Sequence, residues 1–281
     1  MRFHVEKFEA GKELSLRQIW DIQVSILNYF SEYCKRNDLS FFLAGGTLLG
    51  AIRHQGFVPW DDDVDIVMPR PDWERFMSMN RIEFGPYELR TYQYTPEKHP
   101  RPLFRIVDTR YFMQINHIQK YLPIWIDVLP LDGLPSEVKE RKKHYKKAKV
   151  LQWMIARSYS NFFKEKRKPV RALKWVVCLP LRIIGPTFFI RRLESLAKQY
   201  DYDKSEYVGS FTCGYGFREG VRKEVFSAPK EAFFHGCSFP VPVGYDVILS
   251  SVYGNYMMLP PEKKRKIHML GAWENAAYFQ Q

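Results

Sequence analysis

The 281-residue sequence predicts a mixed α/β fold: a small mixed sheet flanked by helices, carrying a basic, mainly helical insertion. Three observations predict it. Apolar residues recur at three- and four-residue spacing in several stretches, which marks amphipathic helices. Short apolar runs bounded by Gly, Pro and Asp mark strands between them. The charge is also localised. Residues 139–192 hold 17 Lys/Arg against 2 Glu, a local net of +15 in a chain whose formal charge is +12. A near-neutral body with one patch for an anionic partner fits this better than a protein that coats nucleic acid. An apolar content of 46% excludes a disordered chain.

In chain order, Ser15 caps a helix that runs to about Asn37. Leu16, Trp20, Val24, Leu27, Phe30 and Cys34 form its apolar stripe. Residues 41–44 read as a buried-type strand ended by Gly45-Gly46, and 47–54 as helix. Residues 55–60 form a loop punctuated by Gly56 and Pro59. A second strand covers 63–68, and Pro71 suits the first turn of a helix through about Asn80. Strands are expected at 87–92, 103–108, 111–118 and 124–129. The basic segment reads as helix broken at Pro169, Pro180 and Pro186. Residues 207–242 read as loops and short strands, and 246–253 as helix, followed by a charged run over 262–268. Residues 274–280 read as a protease-site remnant without functional weight.

The four cysteines, Cys34, Cys178, Cys213 and Cys237, have neither zinc-site spacing nor a disulfide framework, which fits a reducing compartment. The N-terminal residues are polar and read as neither signal peptide nor anchor. The most apolar stretch, 175–190, contains Arg182, Pro180 and Pro186 and falls short of the roughly 20 residues of a membrane span.

Chemistry concentrates in Asp61-Asp62-Asp63-Val64-Asp65. If the strand extends back far enough, Asp61, Asp63 and Asp65 share one face, with Val64, Ile66 and Met68 facing a core. Carboxylates about 6–7 Å apart repel by about 2–3 kcal/mol at an effective dielectric near 20. A bound cation relieves that repulsion, and oxygen-only ligands favour Mg²⁺ or Mn²⁺ over zinc. The competing reading is an acidic surface loop, against which the apolar neighbours Trp60, Val64, Ile66 and Val67 weigh. Upstream, Gly45-Gly46-Thr47 turns a strand into a helix and lets backbone N–H groups approach a phosphate. Alone it is more often a plain tight turn. Asp127 is a single acid in an apolar strand, where it needs a metal or a hydrogen-bonding partner. Phosphate-binding glycines, two strand carboxylates and a third on a neighbouring strand are the layout of the nucleotidyltransferase fold.

The run 42–66, FLAGGTLLGAIRHQGFVPWDDDVDI, resembles the signature of the LicD/fukutin family. Residues 126–133, IDVLPLDG, are similar to its second block. Residues 253–257, YGNYM, with Leu259-Pro260-Pro261 and the basic run to His268, resemble its C-terminal block. The resemblance implies a metal-dependent phosphotransferase. It is expected to move phosphocholine from CDP-choline to a hydroxyl of a lipid-linked or polymeric glycan, of teichoic acid or lipopolysaccharide type, releasing CMP. A nucleotidyltransferase of the same fold, or a fukutin-like sugar-alcohol-phosphate transferase, is the alternative. The absence of an anchor and of zinc-site cysteines favours the phosphocholine type. A non-catalytic polyanion- or membrane-binding protein leaves four Asp in five residues unexplained.

On this reading Asp63, Asp65 and Asp127 hold the metal, and Asp127 or Asp61 accepts the hydroxyl proton. Gly45, Gly46 and Thr47 bind donor phosphate, while Arg53 and Arg105 neutralise the diphosphate; Arg53 serves equally as a partner for the Asp cluster. His54 reads as structural. Trp60 and Trp125 are either faces for a quaternary ammonium or core. The expected organisation is a catalytic core over 1–136, the insertion over 137–205, and a C-terminal region, 206–281, that completes the catalytic domain. A cytoplasmic enzyme is expected, with the +15 segment in peripheral contact with an anionic membrane surface, and with no nucleic-acid partner.

Overall fold

A computed structural model describes residues 8–115, 121–159, 168–212, 214–265, 267 and 269–279. A polar strand, β1 (Ala10–Glu13), comes first. Helix α1 (Leu16–Arg36) follows, opened by a capping box in which the Ser15 side chain takes the Gln18 N–H and Gln18 reaches back to the Ser15 N–H. Its face of Ile19, Val24, Ile26, Leu27, Phe30 and Cys34 is buried against the sheet. Strand β2 (Phe42–Leu43) leads directly into α2 (Gly45–His54), so both glycines lie in the helix's first turn rather than in a turn before it. Strand β3 (Asp65–Pro69) feeds α3 (Arg70–Met79), with Pro71 in the first turn.

Next come β4 (Glu83–Phe84), β5 (Tyr87–Thr91), β6 (Phe104–Ile115) and β7 (Tyr121–Leu134). The expected strands at 103–108 and 111–118 are one strand, bent where its register against β7 shifts between Asp108 and Phe112; residues 116–118 lie outside the described residues. β7 runs through Pro123 and Pro130 and extends well beyond the expected 124–129, because a proline forfeits only one ladder donor and leaves its carbonyl to pair.

Three helices follow: α4 (Val138–Ser158), α5 (Lys168–Ile184) and α6 (Pro186–Ala197). Pro180 lies inside α5 and does not end it, and Pro169 sits in its first turn, where a missing N–H costs nothing. Tyr145, Ala148 and Ile155 of α4 and Phe189, Ile190 and Leu193 of α6 form an apolar cluster with Tyr92, Leu134 and Phe211. The remainder is β8 (Tyr207–Gly209), β9 (Val221–Arg222), the hairpin β10 (Pro229–Phe234) and β11 (Cys237–Pro242), α7 (Tyr245–Tyr253), β12 (Met269–Asn275) and α8 (Ala276–Phe279). The reading of 274–280 as a remnant is therefore corrected. Glu274 and Asn275 belong to a sheet strand, and buried Asn275 accepts the Glu9 N–H at 3.2 Å.

The main sheet runs β1-β12-β6-β7-β3-β2, with β4, β5, β8 and β9 branching from β6 and β7. Most neighbours are antiparallel, but β3 and β7 are parallel, with Asp65 opposite Asp127. Val64, Ile66 and Met68 are fully buried beneath them. Behind the site a buried ion pair, Arg70 Nε to Asp132 Oδ1 at 2.6 Å, pins the start of α3 to the end of β7.

Candidate active site

The strand alternation expected over 61–65 does not occur, because β3 begins only at Asp65. Asp61, Asp62 and Asp63 lie in the preceding loop. That loop is held by backbone bonds: Trp20 Nε1 donates to the Asp61 carbonyl at 3.0 Å, and Gln23 Nε2 to the Asp62 carbonyl at 2.9 Å. The three carboxylates converge, with oxygens within 4.8 Å of one another. Asp62, which alternation would have turned away, is one of them; its Oδ2 also accepts the Met269 N–H at 2.6 Å, tying the loop to β12. Asp61 and Asp63 share a side-chain hydrogen bond, and the charges of Asp63 and Asp127 both act on Asp65. Asp61, Asp63, Asp65 and Asp127 thus form one cluster.

The glycines explain how the carboxylates fit. Gly45 takes φ +53°, which a side chain resists, and a Cβ there would sit 3.3 Å from Asp65 Oδ2. A Cβ on Gly46 would lie 2.2 Å from Asp61 Oδ2. The helix start therefore floors the acid cluster, with its N-terminal dipole facing the negative charge. Thr47 Oγ1 accepts the Asp65 N–H at 2.9 Å and fixes the first residue of β3.

Burial and mutual repulsion shift the acids upward. Burial first, then the charges of Asp62 and Asp65, raise Asp61 to about 6 against an opposing hydrogen bond from Asp63. Burial, then the neighbouring carboxylates, hold Asp63 and Asp65 well above the ordinary carboxylate range. An all-oxygen cluster that resists ionisation until a cation offsets it fits a hard divalent ion.

Asp127 is held differently. Arg105, its register partner on β6, grips it with both arms, Nε to Oδ1 at 2.5 Å and Nη2 to Oδ2 at 2.9 Å. Trp125 Nε1 donates to Oδ2 at 3.1 Å, and the Arg105 guanidinium lies 4.1 Å from the Trp125 ring centroid. Arg105 and Trp125 thus orient Asp127. Arg53 is engaged by backbone: its Nη1 donates to the Tyr256 carbonyl at 2.6 Å and the Met258 carbonyl at 3.3 Å, fastening the C-terminal block to α2. Trp60 is half-buried, with the Arg265 guanidinium 5.1 Å from its ring centroid and His54 edge-on to it. Three residues assigned no site role from sequence, Tyr253 of the C-terminal block among them, also lie near the cluster. Tyr253 feels the charges of Asp61 and Asp65, Glu219 acts on Asp65, and Tyr215 bonds to Tyr253.

A family model described as LicD/FKTN/FKRP, nucleotidyltransferase domain, matches residues 38–176. The chain is 31% identical over 264 residues to the lipopolysaccharide cholinephosphotransferase LicD of Haemophilus influenzae, a match covering 92% of this chain and 97% of that protein. It is also 46% identical over 66 residues to an uncharacterized protein of Rickettsia prowazekii, covering 24% of this chain and 22% of that one.

Proposed function

This chain belongs to the LicD/FKTN/FKRP family, and we propose that it transfers phosphocholine from CDP-choline to a hydroxyl of a cell-surface glycan precursor, of lipopolysaccharide or teichoic acid type, releasing CMP. The observation that carries the reading is the acid cluster on the parallel β3–β7 pair, floored by Gly45 and Gly46, in a chain similar along nearly its whole length to a cholinephosphotransferase. Asp63, Asp65 and Asp127 would hold Mg²⁺ or Mn²⁺, with Asp61 and Asp62 close enough to share the load. When bound, the ion offsets charge on the diphosphate and on departing CMP.

The acceptor oxygen bonds to the phosphorus bearing choline. The bond from that phosphorus to the bridging oxygen breaks, and CMP leaves with its electron pair. The hydroxyl proton passes to a carboxylate. Both oxygens of Asp127 are engaged by Arg105 and Trp125, so Asp61 is the better placed base. Arg105 holds Asp127 aimed at the cluster. The N–H groups at Gly45, Gly46 and Thr47 supply positive potential to a donor phosphate at the helix start.

The enzyme works in the cytoplasm, in peripheral contact with the inner membrane face. No helix among the described residues is long and apolar enough to cross a membrane. On α5, Cys178 is buried, while Val176 and Ile183 on the opposite face are 73% and 77% exposed; Ile184 and, on α6, Phe188 are exposed as well. Arg182 on α5 and Arg191 and Arg192 on α6 are exposed too, and exposed apolar and basic side chains together are the pattern of an interfacial segment.

The test is incubation of the purified protein with CDP-choline, Mg²⁺ and a lipid-linked glycan. CMP is expected to appear one for one with acceptor-bound choline. Inactivity with CDP-choline alongside use of CDP-ribitol or CTP contradicts the reading.

A further inference from the structure

We infer that the cleft between the start of α2, the turn at Gly216–Glu219 and α7 seats the donor's quaternary ammonium, with Tyr215, Tyr253 and Glu219 selecting it. The inference rests on the phosphocholine reading above. Leu48, Val67, Leu131 and Phe226 give the cleft apolar walls.

It adjoins the acid cluster through one residue. Gly45 lines the cleft, and the space a Cβ would take there lies 3.3 Å from Asp65 Oδ2. A phosphate at the carboxylates therefore places its substituent at the cleft mouth. Two phenol rings stand there. Tyr215 and Tyr253 are 5.3 Å apart at 71°, and a 2.7 Å hydrogen bond between their hydroxyls locks the pair. Glu219 adds a carboxylate to the same lining and is oriented by the Tyr215 N–H, which donates to its Oε1 at 2.8 Å.

The lining discriminates between ligand classes. None of the described residues that line the cleft is Lys, Arg or His, so a phosphate finds no counter-charge. A sugar or sugar alcohol meets mainly apolar walls, which leave its hydroxyls without partners. A trimethylammonium group is apolar on its surface, donates no ordinary hydrogen bond and carries a positive charge. It matches the aromatic faces, the carboxylate and the apolar walls together. The same features separate a choline donor from a sugar-alcohol donor.

The test compares kcat/KM, by CMP release, for CDP-choline and for its 3,3-dimethylbutyl analogue, in which carbon replaces nitrogen at equal shape. Wild type is expected to prefer CDP-choline by at least about tenfold. Glu219→Gln and Tyr215→Leu are expected to erase most of that preference through KM, with Tyr253→Phe retaining it and Tyr253→Leu losing it. Tetramethylammonium should inhibit competitively against CDP-choline, and more weakly in Glu219→Gln. Thermal melts confirm that each variant is folded; Tyr215 and Glu219 lie outside the core, so they carry the test if Tyr253→Leu does not fold. Equal losses for both donors, or no wild-type preference, overturn the cleft assignment while leaving phosphocholine transfer intact. Inactivity of wild type with CDP-choline overturns the function and the cleft together.

Discussion

Gly46→Ala separates a residue needed for the fold from one needed for the site. Gly46 has ordinary helical geometry, so alanine meets no backbone strain. Alanine is the better helix former by up to about 1 kcal/mol, an effect smaller in a first turn. The new Cβ would lie 2.2 Å from Asp61 Oδ2, the mobile end of a side chain rather than backbone. The carboxylate must therefore retreat by roughly 1 Å to reach an ordinary contact, and a displacement of that size at a reacting group costs about 10² in rate. The expected result is an unchanged or slightly raised Tm in EDTA, a smaller Mg²⁺-induced rise in Tm, and a roughly hundredfold drop in CMP release. Full activity would refute the argument that Gly46 exists to admit Asp61. Loss of folding would equally refute it, by making Gly46 a packing residue.

Three further outcomes follow from the same geometry. Asp61 has a raised folded-state pKa, so between its ordinary value of 3.8 and about 6 the native state binds more protons than the unfolded state, and stability falls as pH rises. In EDTA, Asp61→Asn should thus exceed wild type in stability at pH 7.5, by up to about 3 kcal/mol, with the gap closing as pH falls through that window and gone below the ordinary value of 3.8. The comparison with wild type cancels buried His99, whose folded pKa is pushed down; a difference that does not vary with pH would contradict the raised pKa. Arg105→Ala strands buried Asp127 without its guanidinium and should cost about 3–5 kcal/mol in urea denaturation, with a loss below about 1 kcal/mol speaking against a structural pair. The protein should float with anionic vesicles at low salt and release at high salt, with Val176→Ser and Ile183→Ser weakening binding; failure to bind anionic vesicles at low salt removes the membrane contact.

What could be read from the chain was what is local to it. The Ser15 cap and the stripe from Val24 to Cys34 delimit α1 because both signals lie within the helix itself. Asp61 to Asp65 announced a site because four acids in five residues are hard to fold without a purpose. The means by which they meet were not legible. A loop held by Trp20 and Gln23, not strand alternation, brings Asp61 and Asp63 to Asp65, and it brings Asp62 as well. The grip of Arg105 on Asp127 depends on the register between β6 and β7, which neither strand encodes alone. β1 escaped notice because a short polar edge strand lacks the alternation that marks a strand, and β12, between β1 and β6, because Gly271 and a register shift interrupt its alternation. Tyr215, Glu219 and Tyr253 come from a Gly- and Pro-rich stretch and a separate helix, and only the tertiary fold joins them.

Phosphocholine transfer requires attack at the phosphorus bearing choline, not at the one bearing cytidine. Incubation with CDP-choline labelled with ³²P at the choline-bearing phosphorus, in the presence of Mg²⁺ and a glycan acceptor, tests it most directly. The label is expected to move to the glycan together with choline while CMP is released unlabelled. Label released as free phosphocholine, with cytidine monophosphate retained on the acceptor, would contradict it.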